Sequence, residues 1–254
     1  MKKILLVISC IALLLPVPAT ALPLVDIEAA IGTWQQSPSG WISYESDDEL
    51  DLDDLLDYDD ETRLTGRLKI NLPSVIPGIY LMAVPMEFDE SAVSTRDYQF
   101  GSITVMQDME FDSELVLDQY DIGLFYNVPL LESATLKRLN IEVGLNARIY
   151  DAEATVVNKT YNIRESESET VVVPMGYLGV SLQPVDRIAL EGELRGITYS
   201  DTDVYSLIGR VRVNTFGPTF VTGGYRYEKL DSHDWDLEFD MDFSGPFFEA
   251  GLSF

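Results

Sequence analysis

The sequence is short of thiols, imidazoles, positive charge and long apolar runs. It holds one cysteine, Cys10, and one histidine, His233. Cys10 lies in the amino-terminal apolar run, so the chain after it has no thiol, which excludes disulfides and thiolate metal sites. Lysine and arginine number 17 against 43 aspartates and glutamates, a balance that excludes nucleic acid as a partner. No stretch beyond the amino terminus approaches the roughly 18 uncharged apolar residues that a transmembrane helix needs. Any passage through a membrane is therefore made by strands.

What is present points the same way. Apolar residues make up 46% of the chain, too many for a disordered acidic protein. Thirteen tyrosines against three tryptophans suit the interfacial belts of a barrel. Residues 1–21 read as a secretory signal: Lys2 and Lys3, the apolar run Ile4 to Leu15, and the small-residue site Ala19-Thr20-Ala21. Val7-Ile8-Ser9-Cys10 loosely resembles a lipoprotein cleavage box, but it lies inside the apolar run instead of after it. The expected mature domain is 22–254, where 15 basic residues face 43 acidic ones, a net charge of −28.

Ten segments alternate with period two, the pattern of a strand with one apolar face. They cover 25–34, 62–72, 79–88, 116–126, 139–150, 170–183, 188–199, 204–215, 219–228 and 237–254. In the third, Tyr80, Met82, Val84, Met86 and Phe88 form the apolar face, and Pro85 marks a bulge or local opening. Gln99 to Met106 reads as part of a hairpin above the membrane. In the last segment Leu237, Phe239, Met241 and Phe243 are odd-numbered while Phe248, Ala250, Leu252 and Phe254 are even, so a bulge is expected at Ser244-Gly245-Pro246. Segments of about ten residues match a tilted strand crossing a bilayer. Connections that alternate long and short match outer loops and periplasmic turns. The fold class is thus all-β, a single transmembrane antiparallel barrel of about ten strands. Tyr80, Tyr126 and Phe254 are expected at the inner rim, and Phe88, Tyr120, Tyr205 and Tyr227 at the outer one.

Several stretches carry a resemblance: Trp34-Gln35-Gln36-Ser37-Pro38-Ser39-Gly40, Gly78-Ile79-Tyr80-Leu81-Met82-Ala83, Gly223-Gly224-Tyr225-Arg226-Tyr227 and Gly245-Pro246-Phe247. Together they resemble small, functionally uncharacterised outer-membrane β-barrel proteins of Gram-negative bacteria. The resemblance implies a barrel in that membrane and supplies no activity or catalytic residue. The ending, with Phe248, Leu252 and Phe254 on one face, resembles the signal read by the barrel-assembly machinery. That machinery, periplasmic chaperones and outer-membrane lipids including lipopolysaccharide are the expected partners.

Strand parity turns Arg63, Arg67, Lys69, Arg148, Arg195, Arg210, Arg212 and Arg226 inward, facing Asp26, Glu28, Glu87, Asp121, Glu142, Glu191, Glu193 and Glu249. In so narrow a barrel these groups form a polar plug or line a narrow, porin-like passive channel, and the plug is the favoured reading because small barrels fill their interiors with side chains. The expected role is structural or surface-binding, without a cofactor.

The acidic run Asp47 to Glu61 holds ten carboxylates in fifteen residues, interleaved with Leu50, Leu52, Leu55, Leu56 and Tyr58. It reads as a solvated outer loop. Asp47, Asp48, Asp51, Asp53, Asp54, Asp57, Asp59 and Asp60 are weak candidates for calcium or magnesium, since the spacing lacks the calcium-loop pattern. His233 follows Asp231 by two residues, which resembles half of the catalytic arrangement of outer-membrane proteases, also ten-stranded. No second carboxylate pair can be placed, so a rim-sited hydrolase is the least favoured class.

Overall fold

The computed structural model describes residues 25–45, 48–73, 76–129, 135, 138–200, 202–233 and 237–254. The expected signal segment, residues 1–21, lies outside them. The described residues form fourteen strands: β1 (Asp26–Tyr44), β2 (Leu50–Asp51), β3 (Glu61–Asn71), β4 (Gly78–Val84), β5 (Glu87–Val93), β6 (Tyr98–Phe100), β7 (Ile103–Val105), β8 (Glu110–Asn127), β9 (Leu139–Asn158), β10 (Ile163–Val185), β11 (Ile188–Tyr199), β12 (Thr202–Asn214), β13 (Thr219–Ser232) and β14 (Leu237–Ser253).

Sequential antiparallel pairing of β1, β3, β4, β8 to β14 and back to β1 closes a barrel of ten staves, with β5 continuing β4 along β8. Closure matters because an open edge inside hydrocarbon would leave backbone groups without partners. Ile27 and Phe254 exchange backbone hydrogen bonds at 3.1 and 2.9 Å, so both ends of the wall meet at one rim. β2 adds to the outer end of β1, and β6 and β7 form the expected hairpin.

Several staves run well past the ten residues a bilayer requires. β9 has 20 residues and β10 has 23, so residues 151–169, between the fifth and sixth segments expected from sequence, are mostly strand. β1 likewise continues through Ser37-Pro38-Ser39-Gly40, where Pro38 stands opposite Phe243. Proline is tolerated there because β1 has lost β3 on its other side, and a proline needs such a free edge.

The outer face shows where the bilayer ends. Tyr120, Ile149 and Val172 stand side by side across β8, β9 and β10, and one pair higher the same row reads Asp118, Asp151 and Thr170. Below that line the outward residues are exposed apolar ones, among them Ile31, Leu64, Ile122, Leu145, Leu178, Leu194, Val211 and Phe248. Tyr126 and Phe254 lie at the inner rim. At the outer rim the hydroxyls of Tyr120, Tyr205 and Tyr227 donate to Asp118, Asp203 and Asp242 at 3.4, 3.5 and 2.6 Å. Each phenol thus keeps its ring toward lipid and its hydroxyl toward water.

Inside, the polarity is reversed with height. Above the line the lumen is apolar, filled by Leu117, Phe111, Phe88, Leu230, Phe239, Met241 and Phe243; below it the lumen is ionic. This reversal corrects two sequence expectations. β14 keeps one register against both neighbours from Leu237 to Ser253, with no bulge, and the apolar residues change parity because the dry side of the wall changes. Phe239, Met241 and Phe243 face a dry lumen beneath watery exterior; Phe248 and Phe254 face lipid. The third stave differs as well. Tyr80, Met82, Val84, Met86 and Phe88 point inward and are at most 7% exposed, so Tyr80 and Phe88 belong to neither girdle. Ile79, Leu81 and Ala83 on the other face are apolar too, which left alternation unable to choose a side.

Candidate functional site

The ladder that turns Glu28, Arg67, Lys69, Asp121, Glu142, Arg148, Glu191, Glu193, Arg195, Arg210, Arg212, Arg226, Glu228 and Glu249 inward sets seven cations against seven carboxylates. A buried charge without a partner costs several kcal/mol, so equal numbers are what the narrow lumen can hold. The groups fall into two layers. In the lower layer Arg67 bridges Glu28 and Glu249, the latter at 3.0 Å, and Arg212 also reaches Glu28. Arg210 pairs with Glu191 at 2.7 Å and with Glu193, while Lys69 sits 2.7 Å from Glu142. The Tyr177 hydroxyl donates to Glu142 at 2.9 Å. Arg195 meets Glu193 at 2.8 Å and lies between the rings of Tyr80 and Tyr177, 4.6 and 5.1 Å from their centroids. A guanidinium is suited to that place, since its faces stack on rings while its edge pairs with a carboxylate.

The upper layer is built on Arg148. Its Nε and Nη2 grip both oxygens of Asp121 at 2.8 Å, and its Nη1 donates to Glu228. Glu228 also accepts from Ser206 at 2.7 Å and from Arg226 Nε at 2.6 Å. Arg226 donates to Gln119 at 3.1 Å and lies 4.5 Å over the ring of Trp34. Between the layers, Trp34, Met82, Ile208, Arg210, Arg226 and Glu249 enclose a cavity of about 20 Å³, the space of a single water.

Three charged residues expected in this network stand apart from it. Glu87 faces outward with its side chain 48% exposed, because β4 and β5 share one register on β8 and that register turns even numbers inward. Arg63 keeps its inward parity but leaves the lumen, its Nη2 donating to the Glu87 carbonyl. Asp26 lies at the inner rim, accepting from Ser253 at 3.4 Å. Glu228 is the last residue of the expected segment 219–228, two beyond Arg226, and the parity that turns Arg226 inward turns it inward too.

The mouth above the upper layer is closed by the acidic loop. Leu50, Leu52, Leu55, Leu56 and Tyr58 are buried, and Tyr58 packs 6.0 Å from Phe88, itself stacked 5.6 Å from Phe243. The Asp51 carboxylate accepts from the N–H groups of Asp53 and Asp54 at 3.0 and 2.8 Å, which starts a tight turn and aims the leucines down. This corrects the solvated-loop reading: only the carboxylate side of the run, at Asp53, Asp54, Asp57, Asp59 and Asp60, faces water. Asp48 pairs with Arg96 at 3.7 Å and Asp60 accepts from Gln35 at 2.7 Å, whereas Asp47 lies outside the described residues. Among the described residues no three carboxylates, imidazoles or thiols converge as metal ligands. Tyr98, Phe100, Ile103 and Val105 of the β6–β7 hairpin close the rest of the mouth. Beside it the Tyr44 hydroxyl donates to Glu167 at 2.9 Å, and its pKa is pushed up to about 12 by that bond.

No family model and no curated protein matches the chain. Solved structures do. The outer-membrane protease OmpT of Escherichia coli aligns with a TM-score of 0.51 at 10% identity, covering 92% of this chain and 97% of that one. The fold is that of an outer-membrane β-barrel. Ail of Yersinia pestis, described as an attachment invasion locus protein, aligns with a TM-score of 0.40 at 12% identity over 91% of this chain and 99% of its own. Neisserial surface protein A aligns at 0.32 and 10% identity over 91% of this chain and 97% of its own. His233 Nδ1 lies 3.4 Å from Asp231 and its ring 5.8 Å from Trp41; among the described residues no further acid joins them.

Proposed function

We propose that this barrel is closed and works from its extracellular surface, with the lumen serving as a structural plug. The observation that carries this reading is the seven-to-seven ion network, whose arginines reach carboxylates two to four staves away, sealed above by the leucines of the acidic loop. A passive channel needs a continuous wet path; here the space between the two ionic layers holds about one water. In this reading calcium or magnesium screens the exposed carboxylates of the loop instead of ordering it, and lipopolysaccharide meets the aspartates beside Tyr120, Tyr205 and Tyr227. Planar-bilayer recording of the refolded protein tests the closed lumen. We expect a flat current trace, and openings only when Arg210→Ala is combined with Arg148→Ala. Steady openings in the unmodified protein, altered by Arg212→Ala, would establish a narrow channel instead.

A further inference from the structure

Among the described residues, β5 has a strand partner on one side only. Its pairs with β8 run from Glu87↔Val116 to Val93↔Glu110, and the Leu117 N–H donates to the Met86 carbonyl at 2.8 Å. The alternation of an antiparallel ladder then aims the backbone groups of Phe88, Glu90 and Ala92 at β8, and those of Glu87, Asp89, Ser91 and Val93 away from it. On that far side the β3–β4 ladder stops at Gly66↔Ala83, just before Pro85, which has no N–H to continue it. β3 and β5 diverge from there. The foot of the gap is crossed by side chains: Gln36 Nε2 donates to the Pro85 carbonyl at 3.0 Å, and Arg63 Nη2 donates to that of Glu87. Pro85 thus marks an opening, not a bulge.

The gap has the features of a place for one more strand. Gln36 is wholly buried, yet its Oε1 has no donor, and Arg63 Nε has no acceptor. Higher up, no group among the described residues meets the edge-facing N–H and C=O of Asp89 and Val93. Ala83 pairs with Tyr120 of the outer rim, so β5 stands above the hydrocarbon, where an open edge is permitted and reachable. The outward side chains along the edge are Glu87, Asp89, Ser91 and Val93, all exposed. Beside them Asp112, Glu114 and Arg164 help line a concavity of about 310 Å³. An acidic edge repels a second copy of itself, which is how natural sheets guard exposed edges. It does not repel a basic strand.

We infer that β5 is a docking edge for an extended basic segment of another protein, which adds as a strand and sets alternate basic side chains beside Asp89 and beside Glu87, whose half-exposed carboxylate lies 3.5 Å from Arg63. Main-chain hydrogen bonds supply the affinity in such strand addition, and side chains at every second position supply the choice of partner. Residues between the basic ones would lie over the inner face of the wall, near Phe88 and Ala92, and should be small. The inference rests on the reading of a barrel that works from its outside; conductance decides that reading, and backbone-dependent binding decides this one.

The test uses the full barrel in detergent micelles and a fluorescent peptide of about nine residues alternating lysine with valine or threonine. Anisotropy should report a Kd on the order of tens of micromolar. The same peptide with N-methyl groups on its edge-facing amides keeps every charge and cannot form the ladder, so it should bind at least about ten-fold more weakly. Val93→Pro removes an edge-facing N–H, keeps every carboxylate of the edge and leaves the β8 ladder intact, and should weaken the first peptide as much. If that variant loses the heat-dependent gel shift of a folded barrel, the N-methyl comparison on the unmodified protein still decides. Equal binding of both peptides would reduce the surface to charge adsorption and overturn the inference. So would the absence of binding.

Discussion

Arg148 shows what a single side chain does in this lumen. It neutralises Asp121 and Glu228 at once, and both carboxylates are buried. Removing one partner of a buried pair is costly because the other is left as an uncompensated charge. Arg148→Met should therefore destabilise the folded barrel by roughly 3–5 kcal/mol. Adding Asp121→Leu should recover part of that loss, since Glu228 retains Arg226 and Ser206. Denaturant unfolding in detergent, followed by the fluorescence of buried Trp34, reads both values; a double variant no better than the single one would show that Arg148 acts through packing alone. Arg148→Lys keeps the charge but loses the two-point grip on Asp121, and should fall between them.

At the scale of elements, the acidic loop and the terminal strand carry separate predictions. Leu55→Asp with Leu56→Asp puts two charges into the apolar mouth, so the loop should lift and be cut by added protease several-fold faster while the barrel keeps its heat-dependent gel mobility. Unchanged cleavage would mean that the leucines do not hold the loop down. Phe254→Ser spares the register of β14, whose end pairs with Ile27, but removes an exposed ring at the inner rim. Synthesis should stay normal while the amount assembled in the outer membrane falls; equal assembly would show the ring to be only one more apolar contact. The ten staves were legible because period two survives in any strand with two unlike faces. What alternation could not show was which face is wet. On β14 that failure produced a false bulge at Ser244-Gly245-Pro246, and on β4 and β5 it put Tyr80 and Phe88 on the wrong side of the wall. Parity was enough for Arg67, Lys69, Arg148, Arg195, Arg210, Arg212 and Arg226, which all lie inside as expected, and it failed at Glu87, on the stave whose two faces are both apolar. The partners of each were not legible, because a pair such as Arg67 and Glu249 spans 182 positions of sequence and depends on how the wall closes.

For the molecule as a whole, the reversal of polarity with height fixes more than which residues are buried. A barrel with one uniform apolar belt can ride a little higher or lower as the lipid around it changes. This one has marks on both surfaces of its wall, at the row of Tyr120, Ile149 and Val172 outside and the row of Asp121 and Arg148 inside. Sinking by the two residues that separate the Tyr120 and Asp118 rows, about 6.6 Å along a strand, would carry Asp118, Asp151 and their neighbours toward hydrocarbon. Each acid costs only up to about 1 kcal/mol near the interface, but the row sinks together. Rising would strip lipid from the tyrosines and wet the rings around them. The protein is in effect a post set to a depth gauge, so in a membrane of the wrong thickness it is the lipid that must stretch or thin to meet it.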